Sequence, residues 1–269
     1  MSNLRILYKN KVDKEGFSGT PAVSTLPTTN LLTDIKSQVW RSTNTSGSFT
    51  LTWALFESIN CVILPFTNFT PSATMRVRGY TNVTDTTALF DTGALSYCGY
   101  ASRDTVPSVA NFGYAGGVYA SLFFTGGAVK KIVVDVADDL NPVGYIEASQ
   151  ILVGEYWEPN INVDYGASIS WKDESQHTRN DAGDLLTDIK TRSKTLTLNF
   201  SNASPSDRES LMRVMRNGIG SPLYISVFPS DADKNLEQDY QIYGKLSQQS
   251  QIAIARYAAY STGLTIDEI

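Results

Sequence analysis

The chain has 269 residues, of which 42% are hydrophobic and 18% charged, and its formal net charge is -5. That length allows one large domain or two ordinary ones, and the apolar share supports packed cores rather than extended disorder. A net-negative chain whose longest basic cluster is Lys130-Lys131 lacks the positive face that phosphate backbones require, which argues against nucleic acid as a partner.

Two cysteines, Cys61 and Cys98, are too few for a disulfide framework or a metal cluster. Cys61 opens the apolar run Cys61-Val62-Ile63-Leu64, where a buried, inert thiol is expected. The first residues lack the apolar stretch of a secretion signal, and no segment is long enough for a spanning helix. The expectation is a soluble protein made in a cytoplasm, with no membrane insertion.

In chain order, a short strand over Leu4 to Tyr8 precedes an irregular polar lead-in over 9–30. Phe49-Thr50-Leu51-Thr52-Trp53 alternates apolar and polar, as a strand with one wet face does. Thr74-Met75-Arg76-Val77-Arg78 repeats the pattern, with Met75 and Val77 inward and both arginines outward. The continuous apolar runs Cys61–Leu64 and Ile132–Val134 suit central strands covered on both faces. Residues 81–117 show little periodicity and read as a long excursion ending at Gly116-Gly117. Frequent Gly, Asn, Asp and Pro punctuation points to a sandwich or jelly roll.

This pattern stops near Trp157-Glu158-Pro159-Asn160, which sets a boundary between residues 1–158 and 159–269. Beyond it, Thr195 to Phe200 is an alternating strand, followed by a helix at about 205–217. Ser204 can cap that helix, Pro205 suits its first turn, and Asp207 and Glu209 favour its positive end. Leu211, Met212, Val214 and Met215 form its apolar stripe, and Gly218, Gly220 and Pro222 end it. Strands follow at Leu223–Phe228, Tyr240–Leu246, Gln251–Tyr260 and Leu264–Ile266. The fold class is therefore mainly β, with one amphipathic helix lying on the second sheet. The hexapeptide Leu31-Leu32-Thr33-Asp34-Ile35-Lys36 recurs at 185–190, but its flanks do not match and no duplication is inferred.

Catalytic signals are sparse. The single histidine, His177, lies in a polar stretch and reads as a solvated turn residue. Gly-x-Ser-x-Gly, P-loop and paired-histidine motifs are missing from the sequence. Asp138/Asp139 and Glu155/Glu158 are the nearest paired carboxylates for a glycosidase; the first pair sits in a turn and the second flanks the boundary. No enzyme and no cofactor is expected. The tryptophans Trp40, Trp53, Trp157 and Trp171 could stack on sugars or anchor interfaces, with core packing favoured for Trp53 and a junction or subunit contact open for Trp157.

Residues 30–157 resemble the discoidin-like (coagulation factor 5/8 C-domain) galactose-binding jelly roll. The matching pieces are Val39 to Ser42, Phe49 to Trp53, Ile59 to Leu64, Ile132 to Val136 and the closing Tyr145 to Gly154. The resemblance implies a fold and no particular sugar-binding residue. The whole chain also looks like tail-tip and baseplate proteins of long-tailed bacteriophages and prophages. That likeness is carried by Gly144 to Gly154, Tyr165 to Ser168, Arg208 to Pro229 and Gln241 to Leu246. It implies a distal-tail-like structural subunit of a virion, made in the bacterial host. Its partners would be copies of itself in a ring, such as a hexamer, and neighbouring tail and baseplate proteins. Trp157, Arg213 and Arg216 are the assembly candidates. The alternative is a carbohydrate-binding module with a host-surface glycan as partner.

Overall fold

The computed structural model describes residues 3–20, 22–96 and 118–269. Cys98 and the Gly116-Gly117 end of the expected excursion lie outside the described residues. In chain order the elements are β1 (Arg5–Leu7), β2 (Phe17–Thr20), a 3-10 turn (Thr28–Leu32), β3 (Trp40–Arg41), β4 (Ser46–Thr67), β5 (Thr74–Tyr80), β6 (Phe90–Asp91) and β7 (Leu95–Ser96). Then come β8 (Val118–Ala137), β9 (Glu147–Ala148), β10 (Leu152–Gly154), β11 (Ser168–Asp173), β12 (Gln176–Arg179), β13 (Leu185–Asp188) and β14 (Arg192–Ala203). The chain closes with α1 (Pro205–Arg216), β15 (Leu223–Ser226), α2 (Lys234–Asp239), β16 (Gln241–Leu246), β17 (Ala253–Arg256) and β18 (Ala259–Glu268). The protein is mainly β.

Among the described residues, one seven-stranded sheet runs β10-β4-β8-β5-β6, with β2 added to β4 and β7 to β5. Its two longest strands, β4 and β8, pair antiparallel and break register between Thr52 and Glu57, Ile59 and Cys61, and Leu64 and Thr67. Bulges of this kind bend and twist a strand, which lets one long pair curve around a core. Gly126 shows how tight the bend is, because a Cβ there would lie 1.6 Å from the Ile59 carbonyl oxygen. The inward residues Phe49, Leu51, Val77, Ile132 and Val134 pack against Leu31, Trp40, Ile146, Ala148 and Ile151. The latter come from the 3-10 turn, the β3–β9 pair and the residues flanking β9, which form the facing layer of a jelly-roll-like sandwich.

Alternation placed these strands well. Phe49, Leu51, Met75 and Val77 are buried, whereas Arg76 faces out to Asp91 and Arg78 pairs with Asp135. Cys61–Leu64 is covered on both faces as expected, but Val133 in the other run is only partly buried. The lead-in is less irregular than its composition suggests, since Phe17–Thr20 pairs with Ser48–Leu51 of β4.

The second seven-stranded sheet has the order β1-β15-β16-β18-β14-β11, with β17 added to β18. Its first strand corrects the expected grouping of residues: Arg5–Leu7 pairs with Tyr224–Ser226 and so belongs to the sheet built otherwise from residues after 159. Helix α1 forms as the sequence indicates. Ser204 accepts from the Asp207 amide, the Asp207 carboxylate accepts from the Ser204 amide, and Pro205 occupies the first turn. Gly218 takes the left-handed conformation that ends it, at φ 75°. Leu211 and Val214 are buried and Met215 is half-buried, but Met212 turns outward. The expectation of a single helix is also corrected, because α2 follows an Asp233 side chain that caps the Asn235 and Leu236 amides.

A third apolar cluster joins the two sheets: Leu7, Cys61, Ile63, Phe66, Tyr119, Leu152, Tyr224 and Tyr243. At its centre the Tyr119 hydroxyl donates to Glu268 Oε1 at 2.8 Å and accepts the Tyr243 amide at 3.1 Å. Glu268 also accepts the Lys194 amide, and the Lys36 ammonium stands 3.5 Å away. Burial lowers the pKa of both lysines, against the pull of Glu268.

Candidate assembly surface and seam cleft

The most exposed built feature is a β-ribbon. β11 and β14 pair from Ser168↔Thr197 to Asp173↔Arg192, and the ladder resumes after a one-residue register shift at Gln176↔Asp188. The Glu174 amide reaching the Thr191 carbonyl, and the Lys190 amide reaching Ser175 Oγ, bridge the break. The tip is the turn Asn180–Asp184, closed by the Gly183 amide on the Asn180 carbonyl, with Gly183 at φ 90°. Every residue of β12 and β13 is exposed, on both faces. At ~3.4 Å per residue the ribbon projects on the order of 30 Å beyond β11.

An isolated two-stranded ribbon is marginal in water. This one carries Leu185 and Leu186 at 53% and 54% exposure, and Ile189 at 79%. β11 beneath it is an open edge of the second sheet and exposes Trp171, with the Lys194 ammonium 5.1 Å from its ring. A second exposed hairpin, β17–β18, presents Ile254 and Tyr257. Open edges and apolar ribbons of this kind are templates for pairing with another chain. His177 lies in β12 rather than a turn, with Nδ1 2.9 Å from Thr187 Oγ1 across the ribbon.

The three assembly candidates read from the sequence are not brought together as one surface. Trp157 is used within the chain: it exchanges two backbone hydrogen bonds with Ile6, at 2.8 and 2.9 Å, and packs on the second core near Phe200. Arg213 and Arg216 are exposed on α1, the former paired with Glu209. The ribbon did not stand out in the sequence, since the stretch before Thr195 is polar and only weakly alternating, although Trp171 was among the tryptophans open to stacking or interface contact. The Asn-Asp-Ala-Gly-Asp run at 180–184, set between two short segments, was the signal available.

The other tryptophans are interior. Trp40 is fully buried, and Trp53 donates Nε1–H to the Lys11 carbonyl at 2.6 Å. Cys61 is buried and its thiol pKa is pushed up to about 12 by desolvation, as suits an inert core thiol. Of the carboxylates considered for catalysis, Asp138 and Glu158 have structural work, whereas Glu155 is exposed. Asp138 is buried and accepts from the Thr70 amide and hydroxyl, Ser72 and Asn141, and so pins the loop at 68–72. Glu158 pairs with Arg5.

One cleft of about 510 Å³ opens along the seam between the sheets, lined by Arg5, Ser58, Asn60, Phe123, Glu155 and Tyr156 among others. Phe123 and Tyr156 meet edge-to-face at 5.2 Å, and the Arg5 guanidinium lies 4.7 and 4.6 Å from their ring centres. Asn60 Oδ1 accepts the Tyr156 amide at 3.0 Å. Among the described residues, no group of His, Cys, Asp and Glu side chains forms a metal site, and no helix is long and apolar enough to cross a membrane.

No protein-family model and no curated protein matches the sequence. Among solved structures, the chain is similar to a chitosan-binding module from a chitosanase/glucanase of Paenibacillus sp. IK-5, at 12% identity over 55% of this chain and 99% of that one, with a TM-score of 0.38. It is similar to a module from a family 31 glycoside hydrolase of Clostridium perfringens, at 13% identity over 54% and 94%, with a TM-score of 0.38. A Ruminococcus gnavus fucosidase in complex with fucose matches at 14% identity and a TM-score of 0.37, over 56% of this chain but only 27% of the fucosidase. At these values the likeness carries no argument about function.

Proposed function

We propose that this chain is a non-catalytic assembly subunit whose second sheet is completed by neighbouring molecules, copies of itself above all. The observation that carries this reading is the projecting ribbon β12–β13, exposed on both faces and continuous with the open edge β11. A ribbon with apolar residues that no other described part of its chain covers gains stability when a second surface covers it. Placement in a bacteriophage tail tip or baseplate, as a distal-tail-like ring subunit, comes from the sequence resemblance; the protein would be made in the host cytoplasm and act in the virion. Electron microscopy of the purified protein tests this: closed rings are expected, and isolated single chains at all concentrations overturn it.

A second reading is favoured by the seam cleft, whose aromatic walls and polar lining suit recognition of a host-surface glycan. Binding to an array of bacterial surface glycans is expected on this reading. An array with no hit overturns it without touching the first.

A further inference from the structure

The seam cleft has features that narrow its ligand. Asn60 uses its Oδ1 on the Tyr156 amide, and its two Nδ2 hydrogens have no hydrogen-bond partner among the described residues. The Glu155 carboxylate is exposed and makes no ion pair or hydrogen bond among the described residues. Ser58 and Thr125 line the same space. Donors from an amide, acceptors from a carboxylate and an aromatic wall form a set complementary to a sugar ring, which presents hydroxyls at its rim and C–H groups on its faces. A volume of about 510 Å³ falls inside the ~300–1,000 Å³ range of ligand sites.

The charge balance then selects within that class. Among the described residues Arg5 is the one cation lining the cleft, and its Nε is committed to Glu158 at 3.1 Å while its plane covers the two rings. Glu155 therefore stands without a neutralising partner and repels a carboxylate on the ligand. The cleft is also composite. Ser58, Asn60, Phe123 and Thr125 come from β4 and β8 of the first sheet, whereas Arg5 comes from β1, a strand of the second. Arg5 touches the rings and holds them in place, so the wall is fully formed only when the two sheets are docked.

We propose that this seam is a binding site for neutral sugars, with Glu155 and Asn60 as the ligand-contacting residues and Arg5 as a positioning residue. The proposal rests on the glycan reading of the chain. It differs from that reading in naming where the sugar sits and which sugars are refused.

The test is ligand-observed saturation-transfer NMR on the full chain. The probes are the methyl glycosides of glucose, galactose, mannose, fucose and N-acetylglucosamine, with methyl glucuronide as the acidic comparison. At least one neutral glycoside is expected to bind at least tenfold more tightly than the glucuronide. Asn60→Asp keeps the acceptor for Tyr156 and removes the free donors, so it should weaken the neutral ligand at least tenfold. Glu155→Gln should narrow the neutral-to-acidic ratio at least threefold, a change that a merely structural role would not produce. Sugar binding that survives both variants unchanged overturns the site but leaves the glycan reading standing. No binding of any neutral glycoside by the unmodified chain overturns both.

Discussion

Replacing Tyr119 by Phe should destabilise the protein through the seam between its sheets. The ring contacts survive, since Phe keeps the packing on Phe66 at 5.4 Å and Tyr224 at 6.1 Å. The backbone is held independently, because the Gln238 side chain accepts from the Tyr119 amide at 2.9 Å and donates to its carbonyl at 2.5 Å. What the variant removes is one buried hydroxyl, and with it the partner of the Tyr243 amide and of Glu268 Oε1. Each orphaned buried group costs about 1–3 kcal/mol, so a loss of about 3 kcal/mol is expected. For a protein of this size that corresponds to a melting temperature lowered by about 6–12 °C. Differential scanning calorimetry at neutral pH reads it, with circular dichroism confirming an unchanged fold. A shift under ~2 °C would refute the claim that this hydroxyl helps hold the sheets together.

Three further outcomes follow from the same geometry. Cys61 has its thiol pKa raised from 9.0 to about 12 in the folded chain, so the unfolded chain loses the proton first. Its contribution is intact below pH 9 and is lost as pH rises towards 12, by about 1.4 kcal/mol per unit; Cys61→Val should flatten that part of a pH–stability curve from urea titrations. Gly126→Ala places a Cβ 1.6 Å from the Ile59 carbonyl oxygen, so the β4–β8 bend must open, and amide exchange on both strands should rise sharply. Ser204→Ala removes a cap of α1 and should cost about 1 kcal/mol in chemical denaturation, with Ser204→Asp restoring most of it.

Local chemistry made the regular parts of this fold legible. The alternation at Phe49–Trp53 and Thr74–Arg78 gave the buried faces, and Ser204, Pro205, Asp207 and Gly218 bounded α1 to within a residue. The repeated hexapeptide shows where such reasoning stops. Leu31 is fully buried at the end of a 3-10 turn, with Lys36 beside Glu268, whereas the identical residues at 185–190 lie exposed in and beyond β13. Identical sequence takes two conformations because tertiary surroundings outweigh short-range preference. The short strand at Leu4 to Tyr8 was legible, but the same limit hid its sheet, since three residues at Arg5–Leu7 carry no mark of a partner more than two hundred positions away. It also hid the cleft, whose lining residues come from four separated stretches. Trp157 attracted attention by its position before a proline, yet it spends its backbone on Ile6.

The central claim is that other molecules cover what the second sheet leaves open. Sedimentation velocity on the full chain, beside a variant in which residues 176–188 are replaced by a short Asn-Gly turn, puts it at risk most directly. The account predicts a discrete oligomer for the unmodified chain and a folded monomer for the variant. Monomers in both cases, or the same oligomer in both, would contradict it.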